Sequence, residues 1–96
     1  AKGRVLVVDD EKDLVALVRH HLEREDFQVE SAATGEAGLQ RALAQPPAVV
    51  VLDRSLPSLD GLEVCRRLRQ DPRTAGVPIV LLTARAAEFE RVAGLE

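Results

Sequence analysis

The sequence has few of the residues that stabilise small folds through disulfides or aromatic clusters. It contains no Trp, Tyr or Met, only two Phe, and one cysteine, Cys65. A single cysteine forms no disulfide within the chain, so the composition favours a reducing compartment. The apolar share is 46%, which is enough for a globular core. Because aromatic residues are scarce, we expect that core to consist of Val, Leu, Ile and Ala.

Long apolar runs and an excess of positive charge are also missing. No run approaches the roughly 20 apolar residues that cross a membrane, and no signal-peptide pattern precedes the first apolar segment. Sixteen acidic and 13 basic residues give a net charge of −3, whereas nucleic-acid binding favours a basic face. We therefore expect a cytoplasmic domain that contacts neither a membrane nor nucleic acid directly.

Strand-like and helix-like segments alternate, which predicts one α/β domain over residues 1–96. The predicted strands lie near residues 5–8, 27–32, 48–52 and 78–82. The predicted helices lie near residues 12–25, 35–44 and 60–71, with a fourth from about 86. This order indicates a parallel sheet with helices on both faces. In a flavodoxin-like doubly wound sheet the strand order is 2-1-3-4, with the switch point between the first and third strands.

Local signals mark where helices begin and which side faces the core. Thr34 is a good N-cap for the second helix, and Asp60, with a Glu three residues later, has the capping-box spacing for the third. In the first helix, Leu14, Leu17 and Leu22 recur at helical spacing. We expect these three leucines to face the core.

Three carboxylates fall at the ends of two predicted strands. Asp9 and Asp10 follow the first strand, and Asp53 follows the third. If these strands are parallel neighbours, their carboxyl ends bring the three side chains to one edge of the sheet. Two carboxylates about 5 Å apart repel by roughly 3 kcal/mol at an effective dielectric near 20. A hard divalent cation such as Mg²⁺ would relieve that repulsion.

This arrangement predicts a Mg²⁺ site with a nucleophile in it. Asp10 and Asp53 would bind the cation, Asp9 would orient a coordinated water, and the backbone carbonyl of Ser55 would be a further ligand. Asp53 is the best nucleophile candidate because it ends the most apolar strand and a flexible loop follows it. Thr83, at the end of the fourth strand, offers a hydroxyl to a phosphoryl group on Asp53. Movement of Thr83 toward that group would shift the following helix.

Each of these residues has a simpler interpretation when it is taken alone. Asp9 or Asp10 could cap the first helix, and Asp53 could form a turn before Pro57. Thr83 could bond to the backbone at the end of its strand. The functional interpretation depends on all of them occurring together, in register with the predicted strands.

Three motifs share their residues and spacing with a known family. They are Val5-Leu-Val-Val-Asp-Asp-Glu11, Val49-Val-Val-Leu-Asp53 with Leu56-Pro57 and Asp60-Gly61, and Pro78-Ile-Val-Leu-Leu-Thr-Ala84. In these motifs the chain resembles the receiver domain of two-component response regulators. The resemblance implies that Asp53 accepts a phosphoryl group, that Asp9 and Asp10 are an acidic metal pair, and that Thr83 is a switch hydroxyl. The phosphoryl donor would be a sensor histidine kinase, a phosphotransfer protein or a small phosphodonor.

Two departures from the family pattern bear on this interpretation. Arg54-Ser55 follows the phosphoacceptor, where an apolar pair is more usual, so the rate of autodephosphorylation is left open. The sequence also stops before the family's fifth strand and fifth helix. In the family, that strand carries a lysine that contacts the phosphoryl group and an aromatic switch residue. The fourth strand would then be an edge, which predicts a dimer or a domain-swapped dimer through that edge.

Two other functions compete with the phosphorylation-dependent switch. A pseudo-receiver, a protein-interaction module that is not phosphorylated, is favoured by the absent lysine and disfavoured by the complete acidic set. A phosphatase of the haloacid-dehalogenase type needs its two acids separated by one residue, which Asp9-Asp10-Glu11-Lys12 does not supply. We therefore expect a phosphoacceptor rather than an enzyme with a separate substrate. Many members of the family also carry a DNA-binding output domain. The sequence identifies neither the output of this protein nor its kinase and stimulus.

Overall fold

The computed structural model describes residues 2–82. The elements in this part of the chain are β1 (Arg4–Val8), α1 (Lys12–Arg24), β2 (Gln28–Ala32), α2 (Gly35–Ala44), β3 (Val49–Asp53), α3 (Gly61–Gln70) and β4 (Ile79–Leu82). The order predicted from the sequence is confirmed up to the fourth strand, with ends that differ by a residue or so. The predicted fourth helix lies outside the described residues. No helix within residues 2–82 is long and apolar enough to cross a membrane.

The strands form one parallel sheet in the order β2-β1-β3-β4. This confirms the flavodoxin-like order, and β1 and β3 are neighbours at its switch point. Val8 at the end of β1 pairs with Leu52 in β3. The two strands therefore end at nearly the same level, and the residues that follow them emerge side by side.

Aliphatic side chains form the core around the two central strands. Val5 to Val8 of β1 are each at most 2% exposed, as expected of a strand covered on both faces. One cluster joins β1 and β3 to both α2 and α3. Its buried members are Leu6, Val8, Ala32, Ala42, Val50, Leu52, Leu56, Val64, Leu68 and Leu81. The composition predicted this reliance on Val, Leu and Ala.

The predicted caps of α2 and α3 are confirmed. Thr34 Oγ1 accepts a hydrogen bond of 3.1 Å from the backbone N–H of Ala37. Asp60 Oδ1 accepts one of 3.0 Å from the backbone N–H of Glu63. Each bond satisfies a backbone donor that a helix N-terminus otherwise leaves without an intrahelical partner.

Helix α1 packs less deeply than its pattern predicted. None of its residues is fully buried, and Leu17 is 55% exposed, whereas Leu14 and Leu22 are half-buried. The prediction that Leu17 faces the core is therefore wrong. The half-buried positions of α1 centre close to the direction of Leu22, and at 100° per residue Leu17 lies about 130° round the axis from that centre.

A side chain from α1 covers part of the outer edge of β2. Residues 28 and 32 bond to the β1 side, so the carbonyl of Val29 between them points outward. Arg19 Nη1 donates to that carbonyl at 2.9 Å, and its Nη2 donates to Ser31 Oγ at 3.3 Å. An arginine at an edge carbonyl leaves less of the strand open to pairing with another chain.

Helix α2 approaches β1 most closely at Gly38. A Cβ atom at this position would lie 2.6 Å from Val8 Cγ2 and 2.8 Å from Val8 Cγ1. Val8 is 1% exposed and β-branched, so its side chain has little freedom to move away. The absence of a side chain at Gly38 therefore lets α2 seat on the sheet.

We predict that Gly38→Ala destabilises the fold. Overpacking costs about 1–3 kcal/mol, whereas alanine gains roughly 1 kcal/mol of helix propensity over glycine, so the expected net loss is up to about 2 kcal/mol. Gly76→Ala is the matched control, because nothing lies within 4 Å of a Cβ atom there. Urea unfolding followed by far-UV circular dichroism should show a lower midpoint for Gly38→Ala alone. Equal midpoints for the two variants would contradict the close approach.

Candidate metal and phosphoacceptor site

The structure brings the three predicted carboxylates together at the carboxyl end of the sheet. Asp9 and Asp10 follow β1, and Asp53 is the last residue of β3. One carboxylate oxygen from each lies within 4.8 Å of the others. Asp9 is 5% exposed, Asp53 is half-buried and Asp10 is exposed. The cluster therefore extends from the buried edge of the sheet to the surface.

Asp9 is held firmly at the start of the β1–α1 turn. Its backbone N–H donates to the carbonyl of Ala32 at 3.0 Å, and its Oδ1 accepts a hydrogen bond of 2.9 Å from the N–H of Glu11. Glu11 itself occupies the N-cap of α1 and makes no side-chain capping bond. The simpler interpretation of Asp9 or Asp10 as the N-cap of α1 therefore does not describe this helix.

The surroundings of Asp9 disfavour the ionised form of its carboxyl group. Burial raises the pKa of the Asp9 carboxyl above its ordinary value, the hydrogen bond from Glu11 N–H lowers it, and the nearby charges of Asp53 and Asp10 raise it. At a separation of 4.8 Å and an effective dielectric near 20, two carboxylates repel by roughly 3 kcal/mol. The cluster thus costs folding free energy at neutral pH unless a cation compensates it.

Asp53 is fixed by the strand that precedes it and the loop that follows. It pairs with Leu82 of β4, and the next N–H, that of Arg54, donates to the Leu82 carbonyl at 3.0 Å. Asp53 Oδ1 accepts a hydrogen bond of 3.0 Å from the N–H of Ser55. The role of the Ser55 carbonyl as a metal ligand stays a prediction. Thr83 lies outside the described residues, so its role as switch hydroxyl also stays a prediction.

The loop between β3 and α3 makes close contacts that the sequence did not indicate. Gly61 N–H donates to the Arg54 carbonyl at 3.0 Å, and a Cβ atom at Gly61 would lie 2.3 Å from the Asp53 carbonyl oxygen. Ser58 has a left-handed backbone with φ 67°, and its hydroxyl donates to Glu36 Oε2 at 2.7 Å. Serine has no strong preference for this conformation, so no sequence signal marked it.

A groove of about 590 Å³ adjoins the carboxylates. It runs along α1 beside the outer edge of β2, with Asp9 and Asp10 lining one end and Arg19 and Arg41 among its other lining residues. Asp53 is not part of its lining. We therefore assign the groove no part in chemistry at Asp53.

The donor set suits a hard cation. Mg²⁺ binds oxygen ligands, keeps several waters and takes one or two carboxylates from a protein. Asp10 and Asp53 supply exposed and half-buried carboxylates, and Asp9 adds a third that is held in place by the backbone. The same cation would offset the mutual repulsion of the three groups. The residues therefore fit a magnesium site.

Comparison with known proteins identifies the family. The model of the response regulator receiver domain matches residues 5–96. The chain is 46% identical over 93 residues to the alkaline phosphatase synthesis transcriptional regulatory protein PhoP of Bacillus subtilis (strain 168), a match that covers 97% of this chain and 38% of that protein. The chain spans about two fifths of the length of the curated relatives that it matches.

Solved structures give the same result. The receiver domain of sensor histidine kinase PA1611 from Pseudomonas aeruginosa PAO1, solved with a magnesium ion in its active-site cleft, superposes with a TM-score of 0.86 at 28% identity, covering 95% of this chain and 75% of that one. A chain in the complex of histidine kinase ThkA with response regulator protein TrrA superposes with a TM-score of 0.77 at 34% identity, covering 84% and 68%. The chain belongs to the response regulator receiver domain family.

Proposed function

We propose that this domain is a phosphorylation-dependent signalling switch in which Asp53 accepts a phosphoryl group. The observation that carries the proposal is the meeting of Asp9, Asp10 and Asp53 within 4.8 Å at the carboxyl end of the sheet. A carboxylate oxygen of Asp53 attacks phosphorus, and the bond from phosphorus to the donor breaks as the donor leaves. Membership of a family of phosphoacceptors supports this reaction rather than turnover of a separate substrate.

Mg²⁺ is the proposed cofactor. Asp10, Asp53 and the Ser55 carbonyl would hold it, and Asp9 would orient one of its waters. When bound, the cation neutralises charge on the incoming phosphoryl group. The fit of the carboxylates and the magnesium ion in the related PA1611 receiver domain support this assignment.

The proposed phosphoryl donor is the phosphohistidine of a sensor histidine kinase or of a phosphotransfer protein. A chain similar to this one occurs in a complex of a histidine kinase with a response regulator. Regulation of transcription as the output of the whole protein is a further proposal. It is supported by a relative that is a transcriptional regulatory protein, of which this chain covers 38%. The charge of −3 argues against direct contact of this domain with DNA.

The proposed response begins at the hydroxyl of Thr83. A phosphoryl group adds about 1.5–2 negative charges and strong acceptor oxygens. Thr83 directly follows Leu82, whose carbonyl accepts from the N–H next to Asp53. A hydrogen bond from Thr83 to the phosphoryl group would therefore pull on the chain leaving β4.

Self-association through β4 is a separate proposal. In residues 2–82, β4 pairs with β3 and with no other strand. The carbonyls of Pro78 and Leu82 point toward β3, so the N–H of Ile79 points away from it. Outward N–H groups on an edge strand are donors to which a second chain can bind.

The phosphoacceptor is tested by intact-mass measurement. Incubation with an acyl phosphate and Mg²⁺ should add one phosphoryl group to the wild type and none to Asp53→Asn. Asparagine keeps an acceptor for the Ser55 N–H, so the variant should fold, which circular dichroism checks. Equal phosphorylation of both proteins would contradict the assignment to Asp53. No adduct on the folded wild type would favour the pseudo-receiver.

The acidic cluster should make stability depend on pH and on Mg²⁺. Because the folded pKa of Asp9 lies above its unfolded value, the folded state binds more protons, so this residue lowers stability as pH rises through that folded pKa. In EDTA at pH 7, Asp9→Asn should raise the melting temperature by several degrees, since about 1 kcal/mol shifts a domain of this size by about 4–8 °C. The gain should shrink as the pH falls through the raised folded pKa of Asp9 and vanish below its ordinary value of 3.8.

Added Mg²⁺ should give the wild type a higher melting temperature than Asp9→Asn, the reverse of the order in EDTA. It should stabilise the wild type by binding the folded state, by about 2.7 kcal/mol at 100 times its dissociation constant, and stabilise Asp9→Asn less. Melts by far-UV circular dichroism in EDTA and in Mg²⁺ measure both effects. A destabilised Asp9→Asn in EDTA would contradict the repulsion argument.

Association through β4 is tested by light scattering over a range of concentrations. We expect a mass above the 10.4 kDa of one chain for the wild type and for Ile79→Ala, which keeps the outward N–H. Ile79→Pro removes that donor without removing a bond to β3, so it should shift the mass toward the monomer. A wild type that is monomeric at every concentration would contradict association through β4.

A further inference from the structure

We propose that Glu36 and Ser58 form a clasp that positions the phosphoacceptor loop, residues 54–60, against α2. Their hydrogen bond joins the first turn of α2 to the middle of the loop, 22 residues further along the chain. This inference rests on the proposed function, because the loop carries Ser55 and begins directly after Asp53. Glu36 and Ser58 are not among the residues that would hold the metal or the phosphoryl group, and they act as positioning residues.

The backbone of Ser58 shows that the loop is held in one particular conformation. Its φ is 67°, a left-handed region that disfavours residues with a Cβ atom. A residue stays in such a conformation when its surroundings fix it. The bond of 2.7 Å from Ser58 Oγ to Glu36 Oε2 is the contact that the side chain makes in this conformation.

A backbone contact beside the clasp brings the loop against the same helix. A Cβ atom at Gly35 would lie 2.1 Å from the carbonyl oxygen of Leu59, so only glycine permits this approach. Gly35 and Glu36 are the first two residues of α2, and Ser58 and Leu59 are consecutive in the loop. Two adjacent residue pairs therefore join α2 to the loop.

The other contacts of the loop lead to the acidic cluster. Gly61 bonds to the Arg54 carbonyl, which closes the base of the loop, and Ser55 N–H donates to Asp53 Oδ1. The chain between Asp53 and Ser58 is thus short, and hydrogen bonds hold it at both ends. Release of the loop at Ser58 would leave Ser55 less firmly placed beside Asp53.

The ionised carboxylate of Glu36 is suited to accept the hydrogen bond of the clasp. The hydrogen bond from Ser58 is the main cause that lowers the pKa of the Glu36 carboxyl below its ordinary value. Both side chains are exposed at the surface, so the contact is open to substitution without damage to the core.

Three substitutions separate the effect of the hydrogen bond from the effects of the Glu36 charge and of the Ser58 backbone conformation. Ser58→Gly removes the hydroxyl and keeps the left-handed conformation accessible, Glu36→Ala removes the acceptor, and Glu36→Gln keeps an acceptor oxygen without the charge. Glu25→Ala is the matched control. It removes another exposed glutamate, at the far end of α1, where its partner is Lys2.

The readout is the affinity for Mn²⁺, a spectroscopic substitute for Mg²⁺, measured from the electron paramagnetic resonance signal of the free ion. Ser58→Gly and Glu36→Ala should each weaken binding about 2- to 10-fold, as expected for the loss of one hydrogen bond. The double variant should be no weaker than the single ones, because both remove the same bond. Glu36→Gln should weaken binding less than Glu36→Ala does, and Glu25→Ala should stay near the wild type. Phosphorylation by an acyl phosphate should slow in the same order.

A merely structural role would give a different pattern. If the variants melt earlier but, while fully folded, bind Mn²⁺ and accept phosphate like the wild type, the clasp proposal is overturned and the proposed function stands. Additive losses in the double variant would also overturn it. If the folded wild type itself binds no Mn²⁺, the proposed function fails and the clasp proposal falls with it.

Discussion

Electrostatic repulsion between carboxylates at one edge of the sheet is the constraint around which this domain is built. Parallel pairing of Val8 with Leu52 ends β1 and β3 at the same level. It thereby brings Asp9, Asp10 and Asp53 within 4.8 Å of one another. Burial of Asp9 makes the arrangement still less favourable for the ionised carboxyl. The fold tolerates this cost because Val5 to Val8 of β1 are buried and an aliphatic cluster joins the sheet to α2 and α3.

Glycines set the geometry above that core. Gly38 lets α2 seat on Val8, Gly35 lets the start of α2 touch the carbonyl of Leu59, and Gly61 lets α3 begin against the Asp53 carbonyl. Each approach is too close for a Cβ atom. The loop after Asp53 is therefore placed by backbone contacts from two helices, and the hydrogen bond between the Glu36 and Ser58 side chains adds to them.

The sequence predicts the parts of this structure that local chemistry decides. Alternation of apolar runs predicted the strands, Thr34 and Asp60 predicted helix starts, and the acids after two strands predicted one cluster. The exposure of Leu17 was missed because helical spacing identifies an apolar stripe but not which part of it the sheet covers. The left-handed Ser58 was missed because the contact that holds it comes from α2, 22 residues away in the chain. Such tertiary contacts leave no local pattern.

The contacts around Asp53 also bear on where a charge change would act under the proposed function. On one side, the loop is tied to α2 through Leu59 and Ser58 and closed at its base by Gly61. On the other side, Asp53 is joined to β4, whose last described residue, Leu82, accepts from the N–H of Arg54. Under that proposal, a phosphoryl group on Asp53 would lie between a loop that these contacts restrain and the end of β4 at Leu82. Because these contacts resist movement of the loop, the proposed response is assigned to Thr83 and not to the loop.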